Sequence, residues 1–166
     1  TNAFPVGFLY PTTTAGLLHT ESQPTFVEAG PAAGLNFRLH NSPTSRKYLI
    51  ETMGGGAAWL DYNSDGLLDA YFVNSAATRA YKSPDPPKSA LYRNNGDGTF
   101  TNVTDTAGVS AEGLFGMGVA VADFDNDGDQ DIYVVGFQRS ILYRNEGDGR
   151  FTNITGQAGT ANHDRW

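Results

Sequence analysis

Five aspartates alternate along one short stretch: Asp123, Asp125, Asp127, Asp129 and Asp131. Carboxylates at that density repel one another and hold the backbone open. A hard divalent cation reverses the sign, because calcium takes roughly six to eight oxygens at about 2.3–2.6 Å from carboxylates, carbonyls and water. With Asp123 as the first position, oxygen side chains fall at the first, third, fifth and ninth places, and a backbone carbonyl at the seventh completes a wrap around one ion. Gly128, sixth in the loop, permits a sharp turn. The pattern recurs as Asp61-Tyr62-Asn63-Ser64-Asp65-Gly66-Leu67-Leu68-Asp69, with Asn63 in place of an aspartate. One Asp/Asn/Gly run also reads as a solvated turn. Two copies with glycine at the same place favour two calcium sites.

Neither loop is an EF-hand, whose last acid stands at about position 12 between helices. Here the last acid is ninth and the flanks read as strands. Ala57-Ala58-Trp59-Leu60 precedes the first loop and Ala70-Tyr71-Phe72-Val73 follows it. Val119-Ala120-Val121-Ala122 and Ile132-Tyr133-Val134-Val135 flank the second. Each loop therefore staples a hairpin.

The elements around the loops repeat as well. Leu91-Tyr92-Arg93-Asn94-Asn95-Gly96-Asp97-Gly98-Thr99-Phe100-Thr101-Asn102-Val103-Thr104 returns, slightly changed, at 142–155. That spacing is 51 residues, whereas the loops are 62 apart, so an insertion near 78–88 separates the units. The Gly-Asp-Gly turns at 96–98 and 147–149 suit hairpins. Phe26, Ala33 and Gly34 repeat the offsets of Phe100, Ala107 and Gly108, marking a partial third copy upstream. The expected strands are 56–61, 69–74, 89–94 and 99–104, then 117–123, 131–137, 140–145 and 150–155. The fold class is all-β: tandem four-stranded antiparallel propeller-type blades forming an incomplete propeller, since closure takes about four to eight blades. Residues 1–24 form an extended, apolar N-terminal arm, and 25–166 the repeat region of two full blades and part of another. Pro5 and Pro11 keep the arm out of a helix, and it is a candidate for strand addition to a neighbour.

Composition narrows the function. The 166 residues carry a formal net charge of −7, and eight aspartates sit in the two loops, so the acid is local and the remainder nearly neutral. No basic face offers itself to nucleic acid. The chain has no cysteine, hence no disulfide or thiol chemistry. No apolar run approaches the ~20 residues that span a bilayer. No signal peptide is visible at Thr1, as for a processed terminus or a cut boundary.

The calcium loops, the Leu-Tyr-Arg-Asn-x-Gly-Asp-Gly-x-Phe-Thr segment and the Ala-Gly link together resemble FG-GAP/VCBS repeats. The likeness is greatest to UnbV-type and cartilage-acidic-protein-like propellers, and the lead-in from Ala33 to Gly56 resembles that branch too. The resemblance implies an extracellular, calcium-stabilised propeller with integrin-α-like blades. Carried over by position, it places metal ligands on Asp61, Asn63, Asp65, Leu67 (carbonyl) and Asp69, and on Asp123, Asp125, Asp127, Asp129 (carbonyl) and Asp131. Members of the family carry more blades than this chain.

Other chemistry is weaker. Gly54-Gly55-Gly56 is followed by no Lys-Ser/Thr and is no phosphate loop. His19, His40 and His163 are scattered. A carboxylate pair for glycoside hydrolysis is conceivable, but a metal-held carboxylate is poorly suited to proton transfer, so no enzyme is expected. Asn102-Val103-Thr104 and Asn153-Ile154-Thr155 are glycosylation sequons that the repeat alone explains. Trp59, Tyr62, Tyr71, Phe124 and Tyr133, beside the loops, are expected in the blade core. The expected role is structural: a secreted or cell-surface subunit of an assembly with other copies of itself, with a filament among the forms that head-to-tail contacts give. The alternative is a fragment of a larger propeller that binds a protein or carbohydrate ligand in adhesion.

Overall fold

The structure is a computed structural model that describes residues 27–75 and 85–161. The expected arm over 1–24, Phe26, most of the insertion and the last five residues lie outside them. Two four-stranded antiparallel sheets follow one another, each a simple meander. The first contains β1 (Ala57–Leu60), β2 (Asp69–Phe72), β3 (Ala90–Asn94) and β4 (Phe100–Asn102). The second contains β5 (Gly116–Ala122), β6 (Asp131–Gly136), β7 (Arg139–Asn145) and β8 (Phe151–Asn153). Equivalent residues pair alike: Leu60 faces Asp69 across the first hairpin, and Ala122 faces Asp131 across the second.

The last strand of each blade stops earlier than its sequence suggests. The Thr104 hydroxyl donates to Asn102 Oδ1 at 2.7 Å and accepts the Leu91 N–H at 2.9 Å. Thr155 does the same with Asn153 and Leu142, at 2.6 and 2.9 Å. The sequon threonines thus end the strands, and a single helical turn, α1 (Thr104–Ala107), follows the first. Among the described residues that turn occurs three times. Ala107 N–H donates to Val103 O, Ala158 N–H to Ile154 O and Ala33 N–H to Ala29 O, each at 2.8–2.9 Å. The stretch upstream of the first blade thus makes the same turn as the two later links.

Period-two alternation gives each sheet two faces. Leu60, Tyr71, Val73 and Leu91 on one face of the first blade share a buried core with Ile132, Val134, Ile141, Tyr143 and Phe151 of the second. The link between blades is bound from both sides: Tyr71 donates to Val109 O at 2.8 Å, and Ala111 N–H donates to the Tyr143 hydroxyl at 3.0 Å. The other face of the first blade (Ala70, Ala90, Tyr92) is covered by Leu35 and Phe37. Phe37 stacks on Phe72 at 5.1 Å between ring centroids. Phe100 N–H also donates to Ala33 O at 2.7 Å. The lead-in thus lies on the first blade much as the first blade's link lies on the second.

Candidate functional site: two matched acidic loops

Each loop closes with the same set of bonds. In the first, Asp61 accepts the amides of Asp65 and Gly66 at 3.1 and 2.8 Å. In the second, Asp123 accepts those of Asp127 and Gly128 at 3.1 and 3.0 Å. Asp65 accepts the amide of Leu67, and Asp127 that of Asp129, both at 2.9 Å. Gly66 and Gly128 turn at φ +84° and +98°. Ser64 and Asn126, two residues earlier, also take positive φ, at 56° and 61°. That second left-handed position is one the glycine signal does not reveal.

The ninth residue of each loop anchors it to the blade. Asp69 accepts the amides of Tyr62 (3.1 Å) and Asn94 (2.7 Å). Asp131 accepts those of Phe124 (2.9 Å) and Asn145 (2.8 Å). Both aspartates are buried, at 0% and 2% exposure. Burial pushes both carboxyls up from the usual range, and the amide bonds pull them partly back. A buried carboxylate ordinarily demands a cation beside it. Among the described residues the ion pairs are Lys88–Glu112 and Arg144–Glu146, and neither involves a loop carboxylate.

Asp123, Asp125 and Asp131 bring carboxylate oxygens within 4.8 Å of one another. Asp127 stands in the same loop, with Oδ1 on the Asp129 amide. The Asp129 side chain turns instead toward the first loop, where Ser64 donates to it at 3.4 Å, which leaves its carbonyl as the atom to consider. In the first loop Asn63 stands where the second has Asp125. Its amide nitrogen donates to Asp65 Oδ2 at 2.9 Å. Its Oδ1 is buried without a hydrogen-bond partner, one of two such side-chain atoms among the described residues. An unsatisfied buried acceptor costs roughly 1–3 kcal/mol. An oxygen donor left over inside an all-oxygen loop, beside unpaired carboxylates, fits a hard cation. The donor set therefore suits calcium in both loops.

The aromatic neighbours divide. Tyr62 and Tyr71 are buried, as expected, and Tyr133 is half-buried. Trp59 and Phe124 are 59% and 47% exposed, against expectation. Trp59 tilts against Phe100 at the margin of the lead-in, at 6.4 Å between centroids. Phe124 takes the place in the second loop that buried Tyr62 takes in the first. The hairpin aspartates bind their own turns: Asp97 accepts from Thr99 and Asp148 from Arg150.

Fold and loops define an all-β repeat protein built of propeller-type blades. The sequence model of the FG-GAP-like repeat matches residues 61–134 and again 123–166, and the chain belongs to that family. Its relatives include cartilage acidic protein 1 of Xenopus tropicalis, 36% identical over 96 residues, and of Homo sapiens, 38% identical over 109 residues. That of Mus musculus is 37% identical over 109 residues. These matches take in 55–64% of this chain but only 15–17% of each relative.

Proposed function

We propose that this chain is a non-enzymatic, calcium-stabilised structural module of an extracellular assembly, with one ion held in each acidic loop. The observation that carries the reading is the pair of buried carboxylates, Asp69 and Asp131, which make no ion pair with a described residue, beside the orphaned Asn63 Oδ1. Bound calcium supplies positive charge and accepts oxygen donors without directional demand. Asp61, Asn63, Asp65, Leu67 (carbonyl) and Asp69 would hold one ion. Asp123, Asp125, Asp127, Asp129 (carbonyl) and Asp131 would hold the other. The empty loops repel themselves, so binding free energy becomes folding free energy. Millimolar calcium outside the cell saturates sites of modest affinity, and the relatives' printed name, cartilage acidic protein, supports a matrix setting. Thermal unfolding with calcium and with a chelator tests the reading. A melting temperature unmoved by chelation contradicts it.

Assembly proceeds through the far face of the second blade. Ala120, Ala122, Tyr133, Val135 and Phe124 repeat the positions of Ala58, Leu60, Tyr71, Val73 and Tyr62, of which the last four share a buried core with the second blade. The occupant that fits is a further blade of the same repeat, presenting the apolar face that Val119, Ile132 and Phe151 present to the first. A filament of copies joined head to tail also needs the opposite face of the first blade, which Leu35 and Phe37 occupy. Light scattering in calcium reads the association between copies. Oligomers that fall apart on Phe124→Asp support this face, whereas oligomers unmoved by it, or monomers throughout, overturn association between copies through it.

A further inference from the structure

The two loops touch, and the contact runs through side chains that are not ligand candidates. Gln130, eighth in the second loop, accepts the backbone N–H of Asp61 on its Oε1 at 2.8 Å. Asp61 opens the first loop and caps two of its amides. Asn145 adds a second link. Its own amide donates to Asp131 Oδ1 at 2.8 Å, and its side-chain nitrogen donates to Tyr62 O at 2.9 Å and to Gln130 O at 3.2 Å. Ser64 reaches Asp129 Oδ1 at 3.4 Å. Residues 61, 62 and 64 of the first loop are therefore each one hydrogen bond from residues of the second blade that an ion in its loop would order. Among the described residues the eighth residue of the first loop makes no such bond back toward the lead-in. That residue is Leu68, which is 57% exposed.

We infer that Gln130 couples the two ion sites, so that filling either loop tightens the other. The inference rests on the calcium reading above. An ion in the second loop fixes Asp129 and Asp131 and, with them, the backbone that carries Gln130. Gln130 then holds the Asp61 amide and so the carboxylate that begins the first site. Linkage makes the coupling equal in both directions. Gln130 acts as a positioning residue, since it donates nothing to either ion.

The test is calorimetric titration of the full chain with calcium, for the wild type, Asp123→Ala, Gln130→Leu and the double variant. Gln130→Leu installs the side chain that the first loop carries at this place. Disabling the second loop with Asp123→Ala is expected to weaken the first loop at least about fivefold, the low end of coupling between sites. With Gln130→Leu also present, Asp123→Ala is expected to leave first-loop affinity within about twofold. Equal weakening in both backgrounds overturns the proposal. Should Asp123→Ala fail to fold, the two intact proteins still decide. Cooperative uptake in the wild type that becomes independent in Gln130→Leu supports coupling, and identical isotherms contradict it. Binding of calcium at neither loop of the wild type defeats the calcium reading itself, a different outcome from two ions bound independently.

Discussion

The ring of Tyr62 stacks on that of Phe151, 6.4 Å apart and inclined by 23°, so a residue of the first acidic loop is packed into the second blade. Phe124 holds the same place 62 residues later and stands 47% exposed. One position is thus packed into the next sheet in the first loop and half-exposed in the second. The loop that gathers carboxylates also carries the aromatic residue that docks the next sheet, which would tie the proposed ion binding to blade stacking.

The first prediction follows from that pair. Tyr62→Ala removes a buried ring from the junction and is expected to destabilise the protein by about 3 kcal/mol in saturating calcium. Phe124→Ala removes an exposed ring and is expected to stay within about 0.5 kcal/mol. Urea unfolding of both variants checks this. Similar losses in the two would show that the stacking carries no weight.

Asn63→Asp gives the first loop the carboxylate that Asp125 supplies in the second. Calcium should bind the first loop more tightly, because affinity rises with ligand charge. The calcium-free protein should melt a few degrees lower through added repulsion. Calorimetry and melting curves read the two effects, and unchanged affinity would remove Asn63 from the site.

Glycines before each blade serve close packing. A Cβ on Gly56 would lie 2.9 Å from Val119 N and 3.0 Å from Gly118 Cα, where the first strands of the two blades approach. Gly56→Ala is expected to cost about 1–3 kcal/mol. Gly54 has open space around it, so Gly54→Ala should be nearly neutral. Chemical denaturation distinguishes them, and equal effects would contradict the packing account.

The loops and strands were legible because side-chain type alone carries them. Asp and Gly at fixed offsets mark the loops, and alternating aliphatic residues mark their flanks. The repeat at 91–104 and 142–155 marked the hairpins, and Ala33-Gly34 stands at a turn like those at Ala107-Gly108 and Ala158-Gly159. What was not legible depends on contacts between distant parts of the chain. Strand ends at Asn102 and Asn153 follow from threonine hydroxyls that bond back to the neighbouring strand. The exposure of Phe124 follows from which faces are covered, and a local pattern cannot tell that. Gln130 carries no signal of its own beyond being the place where the second loop differs from Leu68. Only the approach of the two blades gives it a partner.

Two calcium ions are proposed to hold the loops and, through them, the fold. Calorimetric titration of the calcium-free full chain, followed by melting of the same samples, tests this most directly. The account predicts two ions bound per chain and a melting temperature that climbs as they bind. A chain that takes up no calcium, or one that melts at the same temperature loaded and stripped, would contradict it.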